Sequence, residues 1–306
     1  MKTDRPSSKG PTRAGPATRG GTRPRAGSAS DAPDDFASNI QHQRSLDPLA
    51  DAYNSITIYG KRSVQEALDE PTVEVLGVRV ARELPGEYRE RLSSLCRAKS
   101  APLELRSFRE IGAFTADPRN DQGVAARIRL KKAVELADFL ESVKGQGSRE
   151  PAHVIALDGV TNPQNVGMIV RSAVASGTRA VLWPSAGAPW VDALIVKSSA
   201  GTVLRCPIVR CRLLSDALAE MKGSGFRLVG LDMSGNTSLY DLKPTHRTIA
   251  VIGGETTGLS PSTLELLDER VSIPMDPRAK VDSLNAAVAA SLLCFELARK
   301  RAAATR

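Results

Sequence analysis

The sequence has few of the groups that build metal and redox sites. Its 306 residues include only four cysteines and three histidines. Cys96, Cys206, Cys211 and Cys294 form no CxxC pair, and His42, His153 and His246 lie at no ligand spacing from them. A zinc site is therefore not expected. The thiols read as reduced residues of a reducing compartment, which points to the cytoplasm. No segment approaches the ~20 uninterrupted apolar residues of a membrane span, so no membrane association is expected. Acidic residues are almost missing from the start of the chain: Lys2, Arg5, Lys9, Arg13, Arg19, Arg23 and Arg25 face only Asp4 before residue 30. Large apolar residues are also nearly missing there before Phe36. That excludes the apolar core of a secretory signal and the amphipathic helix of an organellar transit peptide.

What remains is a basic chain with a sizeable core. Hydrophobic residues make up 41%, the net charge is +8 and the pI is about 9.5. Such a balance suits a polyanionic partner, although a generally basic surface without one has the same composition. Residues 1–52 are rich in Pro, Gly, Ser, Thr and Ala and cannot bury enough apolar surface to offset their ordering entropy. They read as a disordered basic tail, either a phosphate-touching arm or a solubilising one. Residues 53–130 read as a small α/β unit, a three-layer sandwich of alternating strands and helices. Residues 131–150 read as a charged helix and a Gly-containing linker. From 151 to 306 strands and helices alternate up to a long final helix.

Three loops of this last region carry the candidate chemistry. In the first, the strand His153 to Asp158 leads through a turn into a helix read from Asn165 to Ser176. Val166, Ile169, Val170, Ala173 and Val174 form its buried stripe, and Gly177 its stop. Asn165 is placed to cap the helix start. Gly167 and Arg171 share the opposite face, where a glycine leaves room for a guanidinium over bare backbone. A capped helix with one exposed Arg gives the same pattern. In the second, the strand Thr248 to Ile252 runs into Gly253-Gly254-Glu255-Thr256-Thr257-Gly258-Leu259. The GxxxxG spacing fits a P-loop, but Leu259 stands where the phosphate-binding Lys is needed, and GxGxxG is absent. A backbone-rich turn with one carboxylate is left. In the third, the strand Val271 to Met275 leads to Ser283-Leu284-Asn285, which opens a helix to about Arg301. Ser283 reads as its N-cap, and Ala286, Ala287, Ala289, Ala290 and Ser291 allow close backbone approach.

Together, Asn165-Val-Gly-Met-Ile-Val-Arg171, Gly253-Gly-Glu-Thr-Thr-Gly258 and Ile273-Pro-Met275 with Ser283-Leu-Asn285 resemble the motifs of the SpoU/TrmH RNA 2′-O-methyltransferases, part of the SPOUT superfamily. The layout is most similar to that of the 23S rRNA ribose methyltransferases. Lys197-Ser198-Ser199-Ala200-Gly201, followed by Pro207, resembles a further family stretch. Tyr59-Gly60 to Leu68 and Gln122-Gly123-Val124 resemble the family's L30e-like substrate-binding domain. The resemblance implies an α/β fold whose C-terminal domain is tied in a trefoil knot, preceded by an L30e-like domain. It also implies S-adenosyl-L-methionine as cofactor, RNA as partner and a homodimer. Asn165, Arg171, Glu255, Ser283 and Asn285 match catalytic-motif positions, and backbone around Gly253, Ile273 and Leu284 would hold the cofactor. Asp121 stands where many relatives have His, the loop Asp276 to Asp282 looks longer than usual, and Ala286-Ala287 replaces Val-Ser. The expected reaction is methylation of a ribose in rRNA. The alternatives are a tRNA ribose methyltransferase and a non-catalytic ribosome-assembly factor. The dimer is expected to use the last helix, whose Leu284, Val288, Leu292, Leu293, Cys294, Phe295 and Leu297 offer apolar surface on more than one face.

Overall fold

The computed structural model describes residues 55–130, 133–145, 151–276, 278 and 283–304. The expected tail and most of the 276–282 loop lie outside them. The described chain opens with β1 (Ser55–Tyr59), α1 (Lys61–Asp69), β2 (Glu74–Ala81), α2 (Gly86–Ala98), β3 (Leu103–Arg106), α3 (Phe108–Thr115) and β4 (Val124–Arg129). These strands form one sheet in the order β1-β4-β2-β3, antiparallel except for β2 with β3. Successive residues Val124, Ala125 and Ala126 are all buried, so both faces of β4 are covered. Helix α3 does not appear in the sequence reading, although its signal was present. Ser107 and Glu110 form a reciprocal capping box, the S-x-x-E signature of a helix start.

The second sheet has eight strands: β5 (Val134–Glu135), β6 (Ala152–Asp158), β7 (Ala180–Pro184), β8 (Ile208–Cys211), β9 (Arg227–Leu231), β10 (Thr237–Ser238), β11 (Arg247–Gly253) and β12 (Glu269–Ser272). Its order is β10-β12-β9-β11-β6-β7-β8-β5, and every ladder is parallel. Parallel sheets need both faces covered, and β6 shows how this is met. Its Ile155 and Leu157 join the core beneath α5 (Pro163–Ala175), α6 (Ala193–Ser198) and α9 (Ala286–Ala304). Its Val154 and Ala156 join the core of α4 (Leu136–Gly145), α7 (Leu214–Gly223) and α8 (Pro261–Leu266). The stretch read as a charged helix and linker contains that helix as α4, and with β5 it joins the large sheet, with Phe139, Leu140 and Val143 buried. No described helix is long and apolar enough to cross a membrane.

The strand order reverses between β6 and β11. The chain runs outward from β6 to β7 and β8, then returns to fill the other side. Crevices at such switch points, at the carboxyl ends of the strands, are the ligand sites of open α/β sheets.

Candidate functional site

At the switch point β6 and β11 end side by side, with Asp158 in register with Gly253. The turn after β11 is closed by Gly254 and Gly258, which exchange backbone hydrogen bonds of 3.2 and 3.0 Å. A Cβ on Gly253 would overlap Gly258, and one on Gly254 would overlap the Gly159 carbonyl. The glycine spacing is thus explained by close backbone approach, as the sequence reading of a backbone-rich turn expects. The Ser260 N–H donates to the Asp158 carboxylate at 2.7 Å and pins the turn to the end of β6.

Glu255 sits at the tip of this turn and reaches α5. The Asn165 side chain, only 3% exposed, donates its amide to the Glu255 carboxylate. The Asn165 carbonyl accepts from the Asn285 amide at 3.1 Å. Three loops far apart in sequence thus meet in one chain of hydrogen bonds, Glu255–Asn165–Asn285. A buried amide with both ends used is fully determined in orientation, because leaving either end unpaired would carry a desolvation penalty.

The helix starts differ from expectation. Helix α5 begins at Pro163, and Asn162 is its cap, accepting from Gln164 N at 2.9 Å. Asn165 lies inside the first turn and is free to face the site. Helix α9 begins at Ala286, and its cap is Asn285 rather than Ser283: the Asn285 carbonyl accepts from Ala287 N at 2.9 Å and Val288 N at 3.3 Å. The end of α5 agrees with expectation. Gly177 has φ +71°, and its N–H and that of Thr178 return to Val174 and Ala173.

Arg171 is exposed and, among the described residues, has no hydrogen-bond or ion-pair partner. The space at Gly167, expected to receive its guanidinium, is filled instead by Ser198 of α6, and a Cβ there would overlap the Ser198 hydroxyl. Ser283 is exposed and is not brought into the hydrogen-bonded chain. Neither is Arg171, which lies farther along α5 beside Ser172. The Ser172 hydroxyl meets Ser291 of α9 at 2.7 Å where the two helices cross.

Ile273 is half-buried after β12, and Leu284 is exposed just before α9. Met233, after β9, is 69% exposed. Strands β9, β11 and β12 are parallel neighbours, so these loops leave the sheet at one edge. Gly258 has φ +64° and open space where a Cβ would stand. Apolar side chains and open glycine backbone at one edge of the sheet suit an adenine and its ribose, so the residues present fit a nucleoside-bearing cofactor. Among the described residues no group of three or more His, Cys, Asp or Glu could hold a metal ion.

The model of the SpoU rRNA Methylase family matches residues 152–295, which span all these loops. A Mycobacterium tuberculosis protein named as an uncharacterized tRNA/rRNA methyltransferase is 34% identical over 258 residues, 83% of this chain and 77% of the relative. The chain belongs to the SpoU family. A Mycobacterium avium relative of the same description is 38% identical over 180 residues, 59% of this chain and 57% of the relative's length. The SpoU methyltransferase AviRb from Streptomyces viridochromogenes, solved with AdoMet, has a TM-score of 0.66 at 27% identity, covering 81% of this chain and 91% of that one. A structure described as an RNA 2′-O ribose methyltransferase has a TM-score of 0.62 at 25% identity, covering 82% and 91%. The SpoU model begins at the first residue of β6 and reaches well into α9. It therefore contains Asn165, Glu255 and Asn285, and leaves the small sheet outside.

Proposed function

We propose that this chain transfers a methyl group from S-adenosyl-L-methionine to a ribose 2′-hydroxyl of RNA, with rRNA as the substrate. The observation that carries the reading is the chain Glu255–Asn165–Asn285 at the switch point of a SpoU-family sheet. The AdoMet-bound AviRb and the 2′-O ribose methyltransferase neighbour support the cofactor and the acceptor atom.

Backbone at Gly253, Ile273 and Leu284 holds the cofactor at the carboxyl edge of β11 and β12. Bound there, it supplies an electrophilic sulfonium methyl. The chain's own task is alignment, worth roughly 7–11 kcal/mol when complete, and stabilisation of charge developing on the 2′-oxygen. Arg171 provides the positive charge. Its guanidinium keeps its own proton, so the 2′-OH proton leaves to water or another base. Asn165, held by Glu255 and Asn285, presents a fixed polar wall to the ribose. Ser283, next to Leu284, hydrogen-bonds ribose or cofactor.

The same proposal includes a trefoil knot formed by the loops after β11 and β12, and an L30e-like role in RNA binding for the small domain. In that domain Phe108 is 44% exposed and packs on Gly123, where a Cβ would overlap its ring. A ring clamped on one side and open on the other is a stacking surface for an unpaired base. It includes a homodimer as well. Val288, Leu292 and Phe295 are 50%, 39% and 52% exposed and line one face of α9, and Met168 of α5 is 40% exposed. A second copy covers this stripe and brings its surface up to Arg171. Leu293 and Leu297, which the sequence left as candidates for that contact, are instead buried in the chain's own core.

Incubation with labelled S-adenosylmethionine and total RNA, followed by mapping of the labelled nucleotide, tests the reading. Label in a ribose of rRNA is expected. Label in tRNA would change the substrate, and none in any RNA would favour an assembly factor. Arg171→Ala is expected to lower turnover by at least about 10²-fold, as loss of a transition-state donor does, with cofactor binding intact. Near-normal turnover would remove Arg171 from the mechanism.

A further inference from the structure

The segment Lys197 to Gly201 is packed on two sides. Toward the catalytic helix, Ser198 fills the space at Gly167, and its hydroxyl lies 3.5 Å from the Pro163 carbonyl at the start of α5. Gly167 is two residues beyond Asn165 and four before Arg171. Toward the small domain, Gly201 has φ +81° and faces Glu66 of α1, whose Cβ a methyl group on Gly201 would overlap. The Glu66 carboxylate accepts from Arg205 at 2.9 Å. The Lys197 ammonium lies 5.7 Å from the Tyr59 ring of β1, and helix α6 packs on both β1 and α1.

We propose that residues 197–205 are a registration seat: they fix the small domain against α5 and so determine which nucleotide reaches Asn165. Glu66 and Arg205 are positioning residues, touching neither RNA nor cofactor. This rests on the RNA methyltransferase reading. The physical argument is the lack of slack. At both contacts a side chain lies against glycine backbone, with no intervening Cβ that could shift to absorb movement. Only Ser199 and Ala200 separate Ser198 from Gly201, so a displacement of α1 is passed to α5 with little loss. A ribose misplaced by about 1 Å at the site reacts about 10²-fold more slowly.

The test uses the full chain with Glu66→Arg, Arg205→Glu and the double exchange. Each single variant is expected to lower kcat on RNA by about tenfold or more, within the penalty for misplacement, and to spread label onto neighbouring nucleotides. The KM for S-adenosylmethionine should stay as in the wild type. The double exchange should restore both rate and target position. Solution X-ray scattering gives a readout independent of activity: the single variants should have a larger radius of gyration, and the double exchange the wild-type value. Gly201→Ala, which attacks the seat without changing charge, should behave like the single variants. Wild-type kcat and target position in both single variants would overturn the proposal. So would a double exchange no better than either single variant. If the wild type labelled no RNA, the functional reading would fail, and scattering alone would then decide whether the seat exists.

Discussion

Two helices bring an asparagine to the same hydrogen-bonded chain, and they do so in opposite ways. In α5 the cap is Asn162 and the site residue is Asn165, so structure and chemistry are divided between two amides. In α9 a single amide does both: Asn285 caps the helix with its carbonyl and reaches Asn165 with its nitrogen. The first arrangement lets the site change without loosening the helix. The second ties the stability of α9 to the geometry of the site. The helices also differ in what they leave outside, since α5 exposes Met168 and Arg171 and α9 an almost wholly apolar row.

The largest effect is expected from the outer row of α9. Leu292→Asp should give soluble monomers with little activity, whereas Leu293→Asp, one residue on, should give insoluble chain because that side chain is buried. Sedimentation velocity separates the two. A wild type that is a stable, active monomer would end the dimer proposal.

A smaller effect, on the cap itself, separates the two roles of Asn285. Asn285→Ala should cost about 0.5–2 kcal/mol, as loss of a cap does, and should lower activity. Asn285→Asp keeps a capping oxygen but loses the donor to Asn165. Thermal unfolding near wild type with turnover as poor as that of the alanine variant is the expected pattern. Full turnover in Asn285→Asp would mean that the bond to Asn165 is not needed for catalysis.

The smallest effect concerns the crossing of the helices. Ser172→Ala should cost under about 1 kcal/mol, since the Ser291 hydroxyl keeps its bond to the Ala287 carbonyl at 2.7 Å and is not orphaned. Removing both hydroxyls should be hardly worse. A loss of several kcal/mol in denaturant unfolding would show that the crossing is held by this pair rather than by packing.

Much of this site could be read in the sequence, because its parts sit in strand–turn–helix units with strong local signals. The turn Gly253 to Gly258 was legible as backbone-rich. Its reason, the approach of Gly254 to Gly159, was not, since nothing local says that β6 and β11 are neighbours. Asn165 reads as the cap, but Asn162-Pro163 is the better start signal, with proline at the first helical position. The rotation of α9 could not be read at all. Leu292 and Leu293 are chemically equal, and a helix apolar on several faces gives no direction until the sheet beneath it is known. The charged stretch before residue 150 concealed Phe139, Leu140 and Val143, whose helical spacing places α4 on the sheet.

The span of the site's bonds has a consequence for the order in which the protein matures. Asn165 finds Glu255 90 residues later and Asn285 120 residues later. On a ribosome adding roughly 5–20 residues per second, the last of these partners follows Asn165 by on the order of ten seconds. For the first two-thirds of that interval β6 and α5 lie beside a sheet that lacks β11, and the amide that will be buried is still wet. Contacts of such separation form late in any case, because the chain between them must be ordered first. The elements of the large sheet can therefore collapse in sequence, while the site itself is completed in one final step by the arrival of α9. An intermediate halted before that step would retain most of the secondary structure and none of the chemistry.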